Sequence, residues 1–247
     1  MGSLEGKVAL VTGGSRGIGA SIVKDLAANG AAVAFTYAAA AEQAAAVAKQ
    51  VEADGGKALA IQADSGDPAA VAEAVRQAVD AFGRLDILVN NAGVLAGGGP
   101  LDGIELADID RTLDVNVRGV VLSVRAALPY LRDGGRIITV GSSLADRIPG
   151  AGLTLYSLSK SALVGLTKGL ARDLGPRGIG VTLVQPGPID TDMNPADGES
   201  ADLQRTWTAL GRYGIGEDVA LTVTHIAGDG GRYMTGSAVT IDGGLAA

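Results

Sequence analysis

The chain has no cysteine and a single histidine in 247 residues. Disulfides and thiolate metal sites are therefore excluded, no ligand cluster for a catalytic metal can be assembled, and no metal is expected. Lack of cysteine also fits a reducing compartment. Aromatic residues are scarce at 3 %, with one tryptophan, Trp207. Basic charge is in deficit: the formal net charge is −7, which argues against nucleic acid or an anionic membrane as partner, because both need a positive footprint. Long apolar runs are missing as well. The most apolar helical stretch, 115–131, is broken by Arg118 and Arg125, short of the ~20 clean apolar residues of a membrane span. The N-terminus from Met1 to Lys7 has no apolar signal core, and Gly6 stands where a myristoylation site after Gly2 would need Ser or Thr. These absences lead to the expectation of a cytoplasmic protein. What the chain has in quantity is glycine, 38 residues, and their placement carries information.

Strand and helix signals alternate along the whole length, the pattern of a parallel sheet covered on both faces. Strands are predicted at Val8–Val11, Ala32–Tyr37, 57–63, Ile87–Val89, Arg136–Val140, Gly180–Val184 and Ala238–Ile241. Helices are predicted at 17–29 (stopped by Gly30), 41–53, from Asp67-Pro68 onward, 106–131 and 155–174, with two short helices after a Pro/Gly/Asp-rich loop from Pro186 to Gly198. No repeat, linker or break in composition divides them. The expectation is an α/β fold: one doubly wound, Rossmann-type domain over 1–247 with about seven parallel strands, and a substrate-loop or lid segment at about 188–212. Ligands of such sheets bind at the carboxyl ends of the strands. Gly13, Tyr37, Asp64, Asn90, Ser143 and Pro186 all fall at such ends.

Between the first strand and first helix runs Thr12-Gly13-Gly14-Ser15-Arg16-Gly17-Ile18-Gly19. Glycines permit a tight turn and let a pyrophosphate approach the backbone, and the helix N-terminus supplies N–H donors and partial positive charge. With so many glycines the pattern alone is expected about once by chance; its position is what marks it for dinucleotide binding. A site selective for NAD places an acid at the end of the second strand. Here Thr36-Tyr37-Ala38-Ala39-Ala40 offers none before Glu42, and Arg16 stands where it could pair with a 2′-phosphate. NADPH is inferred over NADH.

Tyr156 and Lys160 are four apart on a predicted helix and share a face. An ammonium one turn from a phenol favours the phenolate and lowers a pKa that is otherwise near ~10. A useful shift of about three units corresponds to roughly 4 kcal/mol, more than one lysine supplies. The pair reads as half of a proton-transfer site that needs a further positive charge. Tyr-x-x-x-Lys is also an ordinary surface pairing, although chance supplies only ~0.1 such pairs in this composition.

Taken together, Thr12 to Gly19, Asn90-Asn91-Ala92-Gly93, Asn116, Ser143, Tyr156-x-x-x-Lys160 and Pro186-Gly187 with Thr191 resemble the short-chain dehydrogenase/reductase family over essentially the whole chain. Ser143 lies thirteen residues before Tyr156, as in the family pattern. The resemblance implies hydride transfer between NADPH and a ketone or aldehyde. In it Tyr156 is the acid/base, Lys160 tunes the tyrosine and binds the nicotinamide ribose, and Ser143 donates to the substrate oxygen. Asn116 is implied to order a water linked to Lys160, Asp64 to contact adenine, Asn90 with Ala92 and Gly93 to line the cofactor cleft, and Thr191 with Pro186, Gly187 and Ile189 to meet the nicotinamide end. In the oxidation direction the cationic nicotinamide supplies the further positive charge.

Substrate contacts are expected from Ser143, Leu144, Ala145, Leu153, Tyr156, Pro188 and Trp207, a mostly apolar set suited to an uncharged carbonyl compound. His225 sits on an apolar helix and reads as core or interface. Two alternatives remain. A 3-oxoacyl-[acyl-carrier-protein] reductase would need basic residues for its acidic carrier, and only Arg125 and Arg132 flank the relevant helix end. The runs Asp146-Arg147-Ile148-Pro149 and Gln185 to Asp192 with Asn194-Pro195-Ala196 resemble a family branch that binds cyclic di-GMP in biofilm dispersal, but pure binding would not need Asn116, Ser143, Tyr156 and Lys160 together. The family resemblance also implies a homo-oligomer, dimer or tetramer, pairing the helices at 106–131 and 155–174, where Ala162, Gly165 and Gly169 allow close approach.

Overall fold

Strand β1 (Val8–Val11) lies between β2 (Ala32–Tyr37) and β4 (Leu85–Asn90), with Leu10 facing Ala34 on one side and Leu88 on the other. All four residues of β1 are buried. A parallel strand covered on both faces has no wet side, which is why it reads as a continuous apolar run. With β3 (Lys57–Gln62), β5 (Leu131–Val140), β6 (Gly180–Pro186) and β7 (Ser237–Ile241), the computed structural model forms one parallel sheet in the order β3-β2-β1-β4-β5-β6-β7. The structure describes residues 3–247, so the readings made at Met1 and Gly2 lie outside the described residues.

Successive side chains of β1 enter different cores. Ala9 and Val11 pack with helices α1 (Gly17–Ala28), α2 (Ala41–Ala53) and α8 (Gly216–Ala227). Leu10 packs on the other face with α3 (Pro68–Phe82), α5 (Gly119–Ala127) and the end of α6 (Thr154–Leu174). Helix boundaries follow local chemistry. Asp67 caps α3 by accepting from the Ala69 N–H at 2.8 Å, with Pro68 in the first turn. Gly83 closes the same helix at φ +76, a left-handed conformation that other residues adopt at a cost. Among the described residues no helix is long and apolar enough to cross a membrane.

The predicted helix 106–131 requires correction. It is α4 (Leu106–Leu113), then a π-helical turn over Asp114–Arg118, then α5, which ends at Ala127. Pro129 has no N–H to continue the ladder, and Leu131 already pairs with Leu85 as the first residue of β5. β5 is accordingly five residues longer at its start than predicted. Strand order reverses between β1 and β4, which places the crevice of a doubly wound sheet at their carboxyl ends.

Candidate functional site

The loop leaving β1 is held by side chains from three strand ends. Thr12 Oγ1 accepts from the N–H groups of Asn91 and Ala92 at 3.0 and 3.1 Å. Asn91 Nδ2 donates to the carbonyls of Thr12 and Gly13 at 3.0 and 2.9 Å, and the Gly13 N–H donates to Thr36 Oγ1 at 3.1 Å. Two glycines are demanded by close approach: a Cβ on Gly13 would stand 2.9 Å from Ala92 Cα, and one on Gly19 2.1 Å from the Gly13 oxygen. No side chain caps α1. Its first-turn N–H groups and positive dipole end are therefore left for an anion.

Around this cradle, Ser15 is buried, Ile18 packs on the core, and Arg16 is exposed with its Nη1 3.5 Å from an Asp192 oxygen. A Cβ built on Gly17 would lie 3.2 Å from the Thr191 methyl, so the segment after β6 folds back over the glycine loop. Within that segment Pro186 ends β6, the Gly187 N–H donates to the Ile241 carbonyl at 3.0 Å, the Pro188 carbonyl accepts from Gly214, and the Ile189 side chain is buried in the core. Tyr37 is half-buried at the end of β2, followed by exposed Ala38 and Ala39. Burial acts to raise the Asp64 pKa, but hydrogen bonds from Arg111 (2.9 Å) and the Gly66 N–H hold it below the usual carboxylate range.

Adjacent residues at the end of β4 diverge because strand side chains alternate. Asn90 is buried, receives the Ser123 hydroxyl and donates to Thr139, which leaves only its backbone for the cleft. Asn91, which sequence reasoning did not select, is the residue that holds the glycine loop. The period of two was the available signal.

Beyond the end of β5 two adjacent serines take different roles, one before a 3-10 turn and one opening it. Ser142 is extended (φ −166°, ψ 147°) and accepts from the Leu144 N–H at 3.2 Å as the following 3-10 turn begins. Its hydroxyl is the neighbouring side-chain group that acts to lower the Tyr156 pKa against burial. Ser143, the residue indicated by the thirteen-residue spacing, is fully buried, and its Oγ has no hydrogen-bond partner among the described residues. Of the two serines, Ser142 is the one whose hydroxyl influences the Tyr156 phenol. The signal was the doublet itself, which leaves spacing ambiguous by one residue.

Lys160 is 4 % exposed, with Nζ 3.3 Å from the Val140 carbonyl and 5.5 Å from the centre of the Tyr156 ring. Burial pulls this lysine down to about 8 and pushes Tyr156 up to about 12, the nearby Ser142 hydroxyl opposing the latter. The expected lowering of the tyrosine by the lysine is therefore not what these residues alone produce: desolvation raises Tyr156, and only the Ser142 hydroxyl opposes it. Asn116 lies in the π turn, 1 % exposed. Its Oδ1 accepts from the Val94 N–H at 2.8 Å, and its Nδ2 donates to the Val94 carbonyl and to Ser159 Oγ at 2.9 and 3.1 Å. A Cβ on Gly93 would lie 3.3 Å from Lys160 Nζ and 3.5 Å from Asn116 Oδ1, so glycine there keeps the lysine and asparagine uncrowded. Leu144, Ala145 and Leu153 are half-buried beside this cluster in sequence, Pro188 is buried, and Trp207 ends the short helix α7 (Ala201–Trp207).

Comparison with known proteins agrees with this architecture. The family described as short chain dehydrogenase matches residues 7–202. A protein of Escherichia coli K12 called cyclic-di-GMP-binding biofilm dispersal mediator protein is 44 % identical over 247 residues, covering 100 % of both chains. A short-chain dehydrogenase/reductase from Serratia marcescens BCRC 10948 superposes with a TM-score of 0.97 at 58 % identity, over 99 % of this chain and 100 % of that one. A short chain dehydrogenase from Burkholderia cenocepacia J2315, solved in complex with NADP, does so at 0.97 and 57 %, with the same coverage.

Proposed function

The chain belongs to the short-chain dehydrogenase/reductase family of NAD(P)-dependent oxidoreductases, and from that premise we propose that it reduces an uncharged ketone or aldehyde to the alcohol, reversibly, with NADPH. The observation that carries the reading is the meeting of the Tyr156 phenol, the Ser142 hydroxyl and the Lys160 ammonium beside the uncapped, Cβ-free cradle at the start of α1. The cradle suits a pyrophosphate because any larger residue at Gly13 or Gly19 would collide with backbone. When bound, the dinucleotide supplies the hydride in reduction, takes it up in oxidation, and carries positive charge into the site in that second direction.

The rest of the chemistry falls to this chain. The α1 N–H groups hold the pyrophosphate. Arg16, released from its exposed pairing with Asp192, takes the 2′-phosphate, with no acid between Tyr37 and Ala40 to oppose it; crystallisation of the Burkholderia relative with NADP supports this preference. Asp64 faces adenine, the backbone of Asn90 to Gly93 lines the cleft, and Thr191 meets the nicotinamide end. Ser142 donates to the carbonyl oxygen and holds it at reacting distance. Tyr156, at about 12, is protonated at neutral pH, the state a proton donor needs for reduction. Lys160, at about 8, remains about nine-tenths charged near pH 7 and can both bind ribose and favour the phenolate left after transfer. Asn116 and Ser159 position the helix that carries the pair. Residues 188–212, with Trp207, form the lid.

The name of the Escherichia coli relative raises a second reading, nucleotide binding without turnover. Retention of Tyr156, Lys160, Asn116 and both serines favours turnover. Homo-oligomerisation through α6 is supported by the exposed, small Ala162, Gly165 and Gly169, with open space at both glycines. NADPH consumption against a panel of ketones and aldehydes, beside calorimetric titration with cyclic di-GMP, tests the reading. Turnover of a carbonyl is expected; no turnover with clear cyclic di-GMP binding would reverse the ranking.

A further inference from the structure

A circuit of contacts runs from the serine turn through the last residues of the chain to the lid and back. Arg147 belongs to the turn: its N–H donates to the Ser143 carbonyl at 3.0 Å. Its guanidinium, however, reaches a stretch about a hundred positions away, where Nη1 donates to the backbone oxygens of Leu245 and, at 3.1 Å, Ala247. That stretch is itself fixed. Leu245 is 2 % exposed, and the Asp242 carboxylate accepts from the N–H groups of Gly244 and Ala246, each at 2.8 Å. The same stretch grips the exit of α7. The Leu210 N–H donates to the Gly243 carbonyl at 3.0 Å, and a Cβ on Gly244 would lie 2.7 Å from that of Ala209. Trp207 then returns to the starting loop, with Cζ2 3.9 Å from a Cβ built on Gly150.

We propose that Arg147 is a positioning residue that fastens residues 242–247 to the Ser142 turn, holds α7 and Trp207 in place through them, and so sets substrate affinity without touching the substrate. Both bonds come from one guanidinium nitrogen, Nη1, whose two N–H groups are fixed in the guanidinium plane, whereas a lysine ammonium would act as a point charge only. Both acceptors are backbone atoms, so the contact depends on the guanidinium and on the course of the tail rather than on the side chains at 245 and 247.

The lid position does not rest on the reductase reading, whereas the effect on substrate does, and the test separates them. Trp207 is the chain's one tryptophan, so acrylamide quenching of the full-length protein reports on the lid without a label. Arg147→Ala is expected to raise the quenching constant about twofold by loosening this region, with Arg147→Lys in between. Arg172→Ala, at the exposed end of α6, should leave it unchanged. With benzaldehyde as probe, Arg147→Ala should raise KM about fivefold, the loss of roughly one hydrogen bond, while kcat and NADPH affinity stay within about twofold. Unchanged quenching in Arg147→Ala would overturn the proposal. So would increased quenching with unchanged KM, or a fall in NADPH affinity as large as the rise in KM, which would indicate general damage. If the wild type turned over no carbonyl at all, the reductase reading would fail instead, and unchanged or increased quenching would still decide whether Arg147 holds the lid.

Discussion

Replacing Lys160 with methionine should stabilise the cofactor-free protein while abolishing its activity. The wild-type side chain is 4 % exposed and has one long hydrogen bond, to the Val140 carbonyl at 3.3 Å. Burial pulls its pKa from 10.5 down to about 8. The folded state therefore binds this proton less tightly than the unfolded chain does, and below the folded value the full penalty applies. A depression of about 2.5 units corresponds to roughly 3 kcal/mol of lost stability near pH 7. Between about pH 8 and 10.5 the unfolded state binds more protons, so wild-type stability rises with pH, and near pH 9.5 only about 1 kcal/mol of the penalty remains. Methionine matches the length of the stem and carries no proton; the lost hydrogen bond costs about 1 kcal/mol. Lys160→Met should thus gain about 2 kcal/mol near pH 7 and almost nothing near pH 9.5. Urea denaturation of both proteins at matched concentration and at the two pH values measures this. Staying below the ionisation of tyrosine matters, because Tyr156, raised to about 12, lowers stability once the unfolded phenol ionises. A variant less stable than wild type near pH 7, or a difference that does not change with pH, would refute the reasoning.

Four further outcomes follow from the site. Ser142→Ala should lower kcat/KM by about 10²–10³ through loss of a donor to the developing oxyanion. Ser143→Ala should leave kinetics within about threefold and stability unchanged or about 1 kcal/mol higher, since its buried hydroxyl lacks a partner; steady-state kinetics and denaturation of both variants decide between the serines. Arg16→Ala should weaken NADPH binding roughly 10–100-fold and leave NADH within about twofold, measured by calorimetry. Gly19→Ala, whose Cβ would stand 2.1 Å from the Gly13 oxygen, should lose measurable cofactor binding in the same assay.

The fold was legible because its signals are local and repeated. β1 and β2 lie where the apolar runs place them, and Asp67-Pro68 and Gly30 mark helix ends by chemistry that acts within a few residues. The stretch 106–131 misled because its apolar period continues through a π turn and across Pro129, and because the pairing of Leu131 with Leu85 is a long-range contact that no local pattern announces. At the site, the residue types and their strand-end positions could be read, but side-chain direction could not be read from spacing alone. Asn90 and Asn91 are neighbours with different partners, and Ser142 and Ser143 are neighbours of which a count of residues to Tyr156 selects Ser143, whereas the donor role proposed above goes to Ser142. The sign of the Tyr156 shift was hidden for a different reason. Proximity to Lys160 is visible in the sequence, whereas the desolvation that raises Tyr156 depends on how the chain packs around the phenol, which the sequence does not show.

The central claim is that Tyr156 delivers the proton when a carbonyl is reduced, and Tyr156→Phe tests it most directly because the ring stays and only the hydroxyl goes. NADPH oxidation in the presence of a carbonyl that the wild type turns over should fall by about 10²–10⁴ in kcat, with NADPH affinity within about twofold of wild type. A Tyr156→Phe protein that kept most of its turnover would contradict the assignment.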